Sequence, residues 1–198
     1  EFAGTLMLGG FRGLAVDLLW IRAERLKIED RFFELVALSD MITRLQPHDR
    51  MVWEFNAWNR AYNISHDFTE PEEKWKWIRS GIELNMRGIR RMPGSWKLKH
   101  HLGFMFMHKC ADFPQQTKRD FGKDNFTLAR EYFQKALHQN PDAPLYVDRM
   151  VIHTYERQGD FKTAEKLYRK HLQKYPDDST ARENLENFLA EKVLYSKN

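Results

Sequence analysis

Residues 125–141 read Asn-Phe-Thr-Leu-Ala-Arg-Glu-Tyr-Phe-Gln-Lys-Ala-Leu-His-Gln-Asn-Pro, and this stretch decides the fold class. Aromatic and small residues recur in it at helical spacing, at Phe126, Ala129, Phe133 and Ala136. This pattern is typical of a helix that packs closely against another helix. Pro141 cannot continue the helix, because its ring removes a backbone donor and clashes with the preceding turn. The stretch therefore predicts one helix of a packed pair, ending before Pro141.

Three other stretches end in the same way. Apolar runs of helical period stop at Pro47, Pro93 and Pro176, and with Pro141 the intervals are 46, 48 and 35 residues. Self-similarity at this period is typical of stacked helical hairpins. Gly159 lies at the predicted turn inside the last hairpin, where a left-handed conformation favours glycine. The sequence therefore predicts an all-α chain, with no competing strand pattern.

The spacing and the side chains resemble the tetratricopeptide repeat (TPR) family, whose repeat has about 34 residues. Besides residues 125–141, the resemblance rests on Trp53, Ala57, Leu102, Gly103, Phe106, Tyr155, Gly159, Phe161, Ala164, Tyr168 and Pro176. It implies a right-handed α-solenoid of about four TPR-like hairpins. The units are expected at about 14–47, 50–93, 96–141 and 144–176, with a C-terminal capping helix over 179–195. The first unit fits least well, because Arg22 and Ser39 depart from the pattern.

The predicted organisation is a lead-in over residues 1–13 followed by one TPR-like domain over 14–198. The apolar residues 2–8 leave open that the lead-in is the end of a missing membrane anchor, although the uncharged run 2–11 is shorter than a membrane span. Localisation stays open between a soluble chain and membrane association through a segment before residue 1. Surplus residues at about 63–73 and 111–124 predict two insertions that lie at neighbouring hairpin corners.

Composition and motifs argue against an enzyme. The 198 residues include one cysteine, so neither an internal disulfide nor a cysteine metal cluster can form. No nucleophile elbow, phosphate-binding glycine loop or zinc-protease motif is present. His101, Met105 and His108 share a helix face and form the alternative of a metal site. The preferred interpretation assigns no catalytic, metal or cofactor residue, and Cys110 is expected to pack as a small apolar side chain.

The net charge of +4 says little as a total, but the charged residues are unevenly distributed in one stretch. Residues 84–111 contain six Lys and Arg residues and no acidic residue. One interpretation of this stretch is a solvated basic turn between two hairpins. The other is a patch that faces an anionic partner.

The family resemblance implies which residues face the groove of the repeats. On the first helices of the units these are Trp20, Trp58, Tyr62, Lys97, His100, Phe104, His108, Tyr146, Arg149, His153 and Arg157. They predict a basic and aromatic groove for a partner segment with acidic and apolar side chains. Trp20 and Glu24 occupy positions where the family's carboxylate clamp has Lys and Asn, so recognition of C-terminal carboxylates is not expected.

The leading hypothesis is a non-enzymatic protein-interaction module, a scaffold or a subunit of a larger complex. The alternatives are an RNA-binding repeat protein, in which bases stack on the groove aromatics, and a metal-binding repeat protein. The overall balance of charges makes nucleic acid the weaker alternative. Because histidines ordinarily titrate near neutrality, charging of His100, His108 and His153 is expected to tighten partner binding at pH 6 relative to pH 8.

Overall fold

The computed structural model describes the backbone of residues 2–195 and the side chains of residues 13–190. Over that part the chain is all-α, as predicted, and contains no strand. The α-helices in chain order are α1 (Phe2–Ile28), α2 (Phe32–Leu45), α3 (Arg50–Trp58), α4 (Pro71–Arg91), α5 (Trp96–His108), α6 (Pro114–Phe121), α7 (Asn125–Gln139), α8 (Leu145–Arg157), α9 (Phe161–Lys174) and α10 (Ser179–Tyr195). A π-helical segment, Asn59–Ile64, continues α3, and a 3-10 turn, Cys110–Asp112, precedes α6.

The prolines mark helix boundaries. Helices α2, α4, α7 and α9 each end two residues before one of the four repeated prolines, at Leu45, Arg91, Gln139 and Lys174. Pro71 and Pro114 lie in the first turns of α4 and α6, where the missing backbone donor is not needed. The predicted helix ends are therefore confirmed.

The chain divides into two compact units, Glu1–Met105 and Phe106–Asn198, with the boundary inside α5. We call them the N-terminal and the C-terminal unit. In the N-terminal unit, α1, α2 and α3 meet around a buried apolar cluster that includes Ala23, Leu35 and Val52. Trp53 and Trp75 are buried, as expected for aromatic residues that pack between helices.

Close packing in the N-terminal unit depends on two glycines of α4. A Cβ atom on Gly81 would lie 2.5 Å from the carbonyl oxygen of Ala57, and one on Gly88 would lie 3.0 Å from the Trp53 side chain. Both distances are shorter than ordinary van der Waals contact. The pairing of α3 with α4 therefore requires glycine at these positions.

In the C-terminal unit, α8, α9 and α10 share a core built from Ile152, Ala164, Tyr168, Ala181, Leu185 and Phe188. The α8–α9 turn contains Gly159 at a φ of +78°, so the predicted left-handed glycine is confirmed. The Asp160 side chain accepts a hydrogen bond from the backbone N–H of Thr163 and caps α9. The three helices at the end of the chain thus form one closely packed group.

The structure changes the expectation for the start of the chain. Helix α1 begins at Phe2, so the predicted lead-in is helical and does not precede the first helix. Its interpretation as the end of a membrane anchor concerns side chains before residue 13, which lie outside the described ones. Among the helices described, none combines the length and the apolar character needed to cross a membrane.

The second predicted insertion forms the 3-10 turn and α6, while the first spans the end of the π-helical segment and the loop to α4. The two insertions belong to different units, so their neighbouring positions stay a prediction. The limits and the number of the repeats also stay predictions.

Candidate partner-binding surfaces

Four of the predicted binding residues line one cleft in the C-terminal unit. Tyr146, Arg149, His153 and Arg157 lie along one face of α8, since helical residues three or four apart share a face. Helices α9 and α10 supply the opposing walls, and the cleft has a volume of about 920 Å³. The structure therefore brings together the complete α8 set of groove residues.

The sequence of α8 explains why these side chains face the cleft. Val147, Val151, Ile152 and Thr154 lie between them in the sequence and are buried. Pro144 is the N-cap residue of α8. A helical turn before Pro144 would clash with the proline ring, so the helix begins at Leu145. The apolar stripe thus fixes the rotation of α8, and the polar and aromatic stripe is left facing the cleft.

Arg149 is held against the cleft wall by Asp178. Its Nη1 atom donates to Oδ2 of Asp178 at 2.5 Å, and Oδ1 of Asp178 accepts the backbone N–H of Ala181 at 3.0 Å. Burial acts to raise the pKa of the Asp178 carboxyl, but hydrogen bonds from His171, Ala181 and Arg149 outweigh burial and leave that pKa below its ordinary value. Asp178 is therefore ionised near neutral pH, and the charge of Arg149 is already compensated.

The buried imidazole of His171, on α9, extends this network. Its Nδ1 atom lies 2.5 Å from Oδ2 of Asp148, and its Nε2 atom lies 2.9 Å from Oδ2 of Asp178. The ionised carboxylate of Asp178 only accepts hydrogen bonds, so Nε2 of His171 is the donor in that contact. One polar network thus joins α8, α9 and the N-terminus of α10.

Glu156 contacts two other residues of the cleft. The Nδ1 atom of His153 lies 2.7 Å from Oε2 of Glu156. Burial, with a further contribution from the Glu156 carboxylate, raises the pKa of Tyr168. The phenol of Tyr168 therefore stays protonated. Because the Glu156 carboxylate lies beside His153, a charge on His153 would add little net positive charge to the cleft.

Arg157 is the exposed cation of the cleft. Its guanidinium carbon lies 5.5 Å from the centre of the Phe126 ring, in a cation–π arrangement that leaves the side chain exposed. The remaining lining is apolar or carries amide groups, from Met107, Met150, Phe161, Phe188, Asn184 and Asn187. The cleft is therefore mainly apolar and aromatic, with amides on one wall and one exposed positive charge.

A second set of predicted residues forms an aromatic stack in the N-terminal unit. The rings of Trp58 and Tyr62 are 3.7 Å apart at an interplanar angle of 3°. Phe104 and His101 of α5 stack less closely on Trp58, with centroid distances of 6.3 and 6.0 Å. Trp58 is exposed and is followed by the π-helical segment, a conformation that is frequent at functional sites. This exposed stack is the second candidate surface.

The other predicted residues of the N-terminal unit make different contacts. Trp20 is half-buried and packs edge-on against Phe55 at 5.2 Å, and Lys97 Nζ lies 5.8 Å from the Trp96 ring centre. Burial lowers the pKa of His100. Burial therefore acts against the expected charging of His100 at pH 6. His108 is exposed and belongs to the C-terminal unit.

The metal alternative gains no support from the side chains that it requires. Asn85 Nδ2 lies 2.5 Å from His101 Nδ1 and 4.0 Å from Met105 Sδ, so both ligand candidates contact this buried amide. Burial, with smaller contributions from His100 and Arg50, lowers the pKa of His101 to about 4. No group of three His, Cys, Asp or Glu side chains among the described residues could hold a metal ion.

Cys110 is buried, and burial raises the pKa of its thiol to about 12. At neutral pH the side chain is therefore a protonated thiol and not a nucleophilic thiolate. This state agrees with the expectation that Cys110 packs as a small apolar residue.

Sequence reasoning missed the residues that α9 and α10 contribute to the cleft. From the sequence, Phe161 is placed in the repeat pattern and the helix over 179–195 is expected only as a cap, so neither helix is predicted to line the groove. One feature of the sequence could have indicated the α10 wall. Asn184 and Asn187 are three residues apart, so their amides lie on one face of the helix.

Comparison with known proteins bears on the same region. Residues 147–186 match the family model of the tetratricopeptide repeat, and these residues cover most of α8, all of α9 and the first turns of α10. The crystal structure of the MamA protein aligns with a TM-score of 0.55 at 12% sequence identity, covering 93% of this chain and 86% of that chain. The crystal structure of TTC0263, a thermophilic TPR protein in Thermus thermophilus, aligns with a TM-score of 0.48 at 12% sequence identity. The alignment covers 88% of this chain and 99% of that chain. No curated protein matches the chain in sequence.

Proposed function

We propose that this chain, a helical-repeat protein of the TPR type, is a protein-interaction module whose C-terminal cleft binds a segment of a partner protein. A binding or scaffold role is the general use of this fold, because stacked helical hairpins create extended concave surfaces. The observation that carries the proposal is the convergence of Tyr146, Arg149, His153 and Arg157 on one cleft. The last three of these residues lie in the matched segment 147–186. The role proposed is one of binding, without catalysis.

The lining of the cleft defines the partner chemistry. Tyr146 and Phe161 are both exposed and offer apolar anchoring surfaces on opposite walls. Since Arg149 is paired with Asp178, the positive charge available to an acidic partner residue comes mainly from Arg157. Asn184 and Asn187 can donate to and accept from a peptide backbone. The proposed ligand is therefore a mainly apolar segment with an acidic residue directed to Arg157.

A peptide-display selection against the full chain tests this proposal. The affinity of selected peptides is measured by fluorescence anisotropy for the parent chain and for the variants Phe161→Ala and Arg157→Ala. We expect Phe161→Ala to weaken binding at least ~10-fold, because truncating a central aromatic anchor costs about 1–2 kcal/mol or more. Arg157→Ala should lower the affinity for peptides that contain an acidic residue. It should leave the affinity for peptides without that residue unchanged.

Lys166→Ala is the matched control, because Lys166 is an exposed residue of α9 that does not line the cleft. Its affinity should equal that of the parent. Selected peptides that bind the Phe161→Ala and parent chains equally well would remove the cleft from the proposal.

The aromatic stack of the N-terminal unit favours one alternative, the binding of single-stranded RNA. The exposed face of Trp58 offers a platform on which a base could stack, and Lys97 is an exposed cation of the same unit. Electrostatic binding of RNA would weaken steeply between low and moderate salt. Loss of this affinity in Trp58→Ala, with no such loss in Met51→Ala, would favour the alternative over a peptide ligand at this surface.

A further inference from the structure

Helix α1 carries apolar side chains on two separate faces. Val16, Ala23 and Leu26 are buried on the inner face, and Ala23 and Leu26 belong to the cluster shared with α2 and α3. On the outer face the exposed fractions are 58% for Leu14, 59% for Leu18, 61% for Ile21 and 80% for Ile28. Contiguous apolar side chains that are this exposed mark an interaction surface.

The spacing of the outer residues is that of a coiled-coil seam. Leu14, Leu18 and Ile21 are separated by four and three residues, and Ile28 follows Ile21 by one heptad. This assigns positions d, a, d and d of a heptad repeat, with Arg25 at the intervening a position. In the sequence, Met7 and Phe11 continue the same spacing towards the start of α1.

The inner face of α1 agrees with this assignment. Val16 and Ala23 then occupy f positions and Leu26 a b position, which point away from the a and d seam. The helix is therefore fixed to its own unit by one side and presents the seam on the other. We call Leu14, Leu18, Ile21, Arg25 and Ile28 the α1 seam.

We propose that the α1 seam pairs with the same seam of a second copy of this chain as a short parallel coiled coil. The charges beside the seam select this occupant and this direction. In a parallel pair, Asp17 at g meets Arg22 of the second copy at e. Glu24 at g lies beside Arg25 of the second copy and opposite Glu29 at e, where the ion pair of Glu29 with Arg31 in its own chain offsets part of the repulsion. An antiparallel pair would instead bring the g positions together, and both g residues are acidic.

The ion pairs within the chain leave these groups available. Among the described side chains, no salt bridge within the chain involves Asp17, Arg22, Glu24 or Arg25, whereas Glu29 is paired with Arg31 at 3.0 Å. Arg25 at an a position favours two strands, because polar residues there specify the number of helices and a long cationic side chain reaches water beside a two-stranded seam. The proposal concerns α1 and does not depend on the function proposed for the cleft.

Sedimentation equilibrium of the full chain over a range of micromolar concentrations tests the stoichiometry. We expect a reversible monomer–dimer equilibrium, and a dissociation constant raised at least ~100-fold by Leu18→Glu, which places a carboxylate in the seam of each copy. Met41→Glu is the control, because Met41 is a similarly exposed apolar residue on α2. Both variants should keep the helical circular dichroism of the parent.

Disulfide trapping tests the direction. Leu14→Cys lies at a d position and Arg25→Cys at an a position, and these two positions face each other in an antiparallel pair that aligns Leu18 with Ile21. The buried Cys110 thiol is protected from reaction. In a parallel pair each variant crosslinks with itself on mild oxidation, whereas an antiparallel pair crosslinks only when the two variants are mixed. A chain that stays monomeric at all concentrations, forms a larger oligomer, crosslinks only in the mixture or binds phospholipid vesicles as a monomer would overturn the proposal.

Discussion

The guanidinium of Arg149 lies 2.5 Å from the carboxylate of Asp178, and this pair joins α8 to the start of α10. The same carboxylate contacts the imidazole of His171 and caps the first turn of α10 through Ala181. Its pKa is held below the ordinary value by these hydrogen bonds, so the ionised form is the one that stabilises the fold. One side chain therefore maintains the wall of the proposed binding cleft.

Replacing Asp178 should destabilise the C-terminal unit. We expect Asp178→Ala to lower the free energy of unfolding by about 3 kcal/mol, since it removes a helix cap and leaves Arg149 and His171 without their shared acceptor. Urea denaturation followed by circular dichroism measures the change. Asp177→Ala, at the exposed neighbouring position, should stay within about 0.5 kcal/mol of the parent. Equal stability of the two variants would contradict the role assigned to Asp178.

The α8–α9 turn should be sensitive to a side chain at Gly159. Its φ of +78° is unfavourable for alanine, so Gly159→Ala should reduce stability by about 1 kcal/mol. Gly94→Ala is the control, because Gly94 lies in a turn without positive φ and a Cβ there meets no atom within 4 Å. Thermal unfolding should show a lower Tm only for Gly159→Ala.

The contact between α3 and α4 should not tolerate a methyl group at Gly81. A Cβ atom would lie 2.5 Å from the Ala57 carbonyl oxygen, and separating the helices should reduce stability by about 2–3 kcal/mol. Gly13→Ala places the same change in α1, where no atom lies within 4 Å, and should stabilise the chain by about 0.5–1 kcal/mol through helix propensity. Opposite signs in denaturant titrations are the expected result. A stabilised Gly81→Ala variant would show that the helices are not in close contact there.

Acidification should destabilise the N-terminal unit through His101. Burial lowers the pKa of His101 from 6.5 to about 4, so between these values the unfolded chain binds a proton that the folded chain does not. The contribution of His101 to the free energy of unfolding is therefore fully present above pH 6.5 and is lost as the pH falls towards 4. We expect a contribution of about 2 kcal/mol to be lost between pH 7.5 and pH 5.

The variant His101→Gln isolates this effect, because glutamine keeps a hydrogen-bonding side chain and does not titrate. The difference in unfolding free energy between the parent and the variant should change with pH by the amount expected for His101. A difference that is independent of pH would show that His101 is already protonated in the folded chain or is not buried.

The sequence allowed accurate prediction of features that are encoded locally. Pro47, Pro93, Pro141 and Pro176 terminate helices through their own covalent structure, and Gly159 marks a left-handed turn for a similar reason. The α8 face was predictable because residues three and four apart share a helix face irrespective of what packs on it. These parts of the fold and of the cleft required no knowledge of distant residues.

Other features depend on contacts between distant residues. Asp178 and Arg149 are 29 residues apart, and nothing in either local sequence identifies the partner. From the sequence, residues 1–13 are separated from the helical domain as a lead-in, yet α1 begins at Phe2. The walls that α9 and α10 supply were missed because their residues also fit a packing or capping role. Tertiary packing decided each of these cases.

The π-helical segment Asn59–Ile64 has an evolutionary consequence. A π-helix closes each hydrogen-bonded ring with one residue more than an α-helix. The segment is therefore the structural trace expected of a one-residue insertion into a continuous helix, absorbed without unfolding its ends. Relatives that keep this helix fully α-helical should align here with a one-residue gap, and their counterpart of Tyr62 should no longer lie flat against that of Trp58.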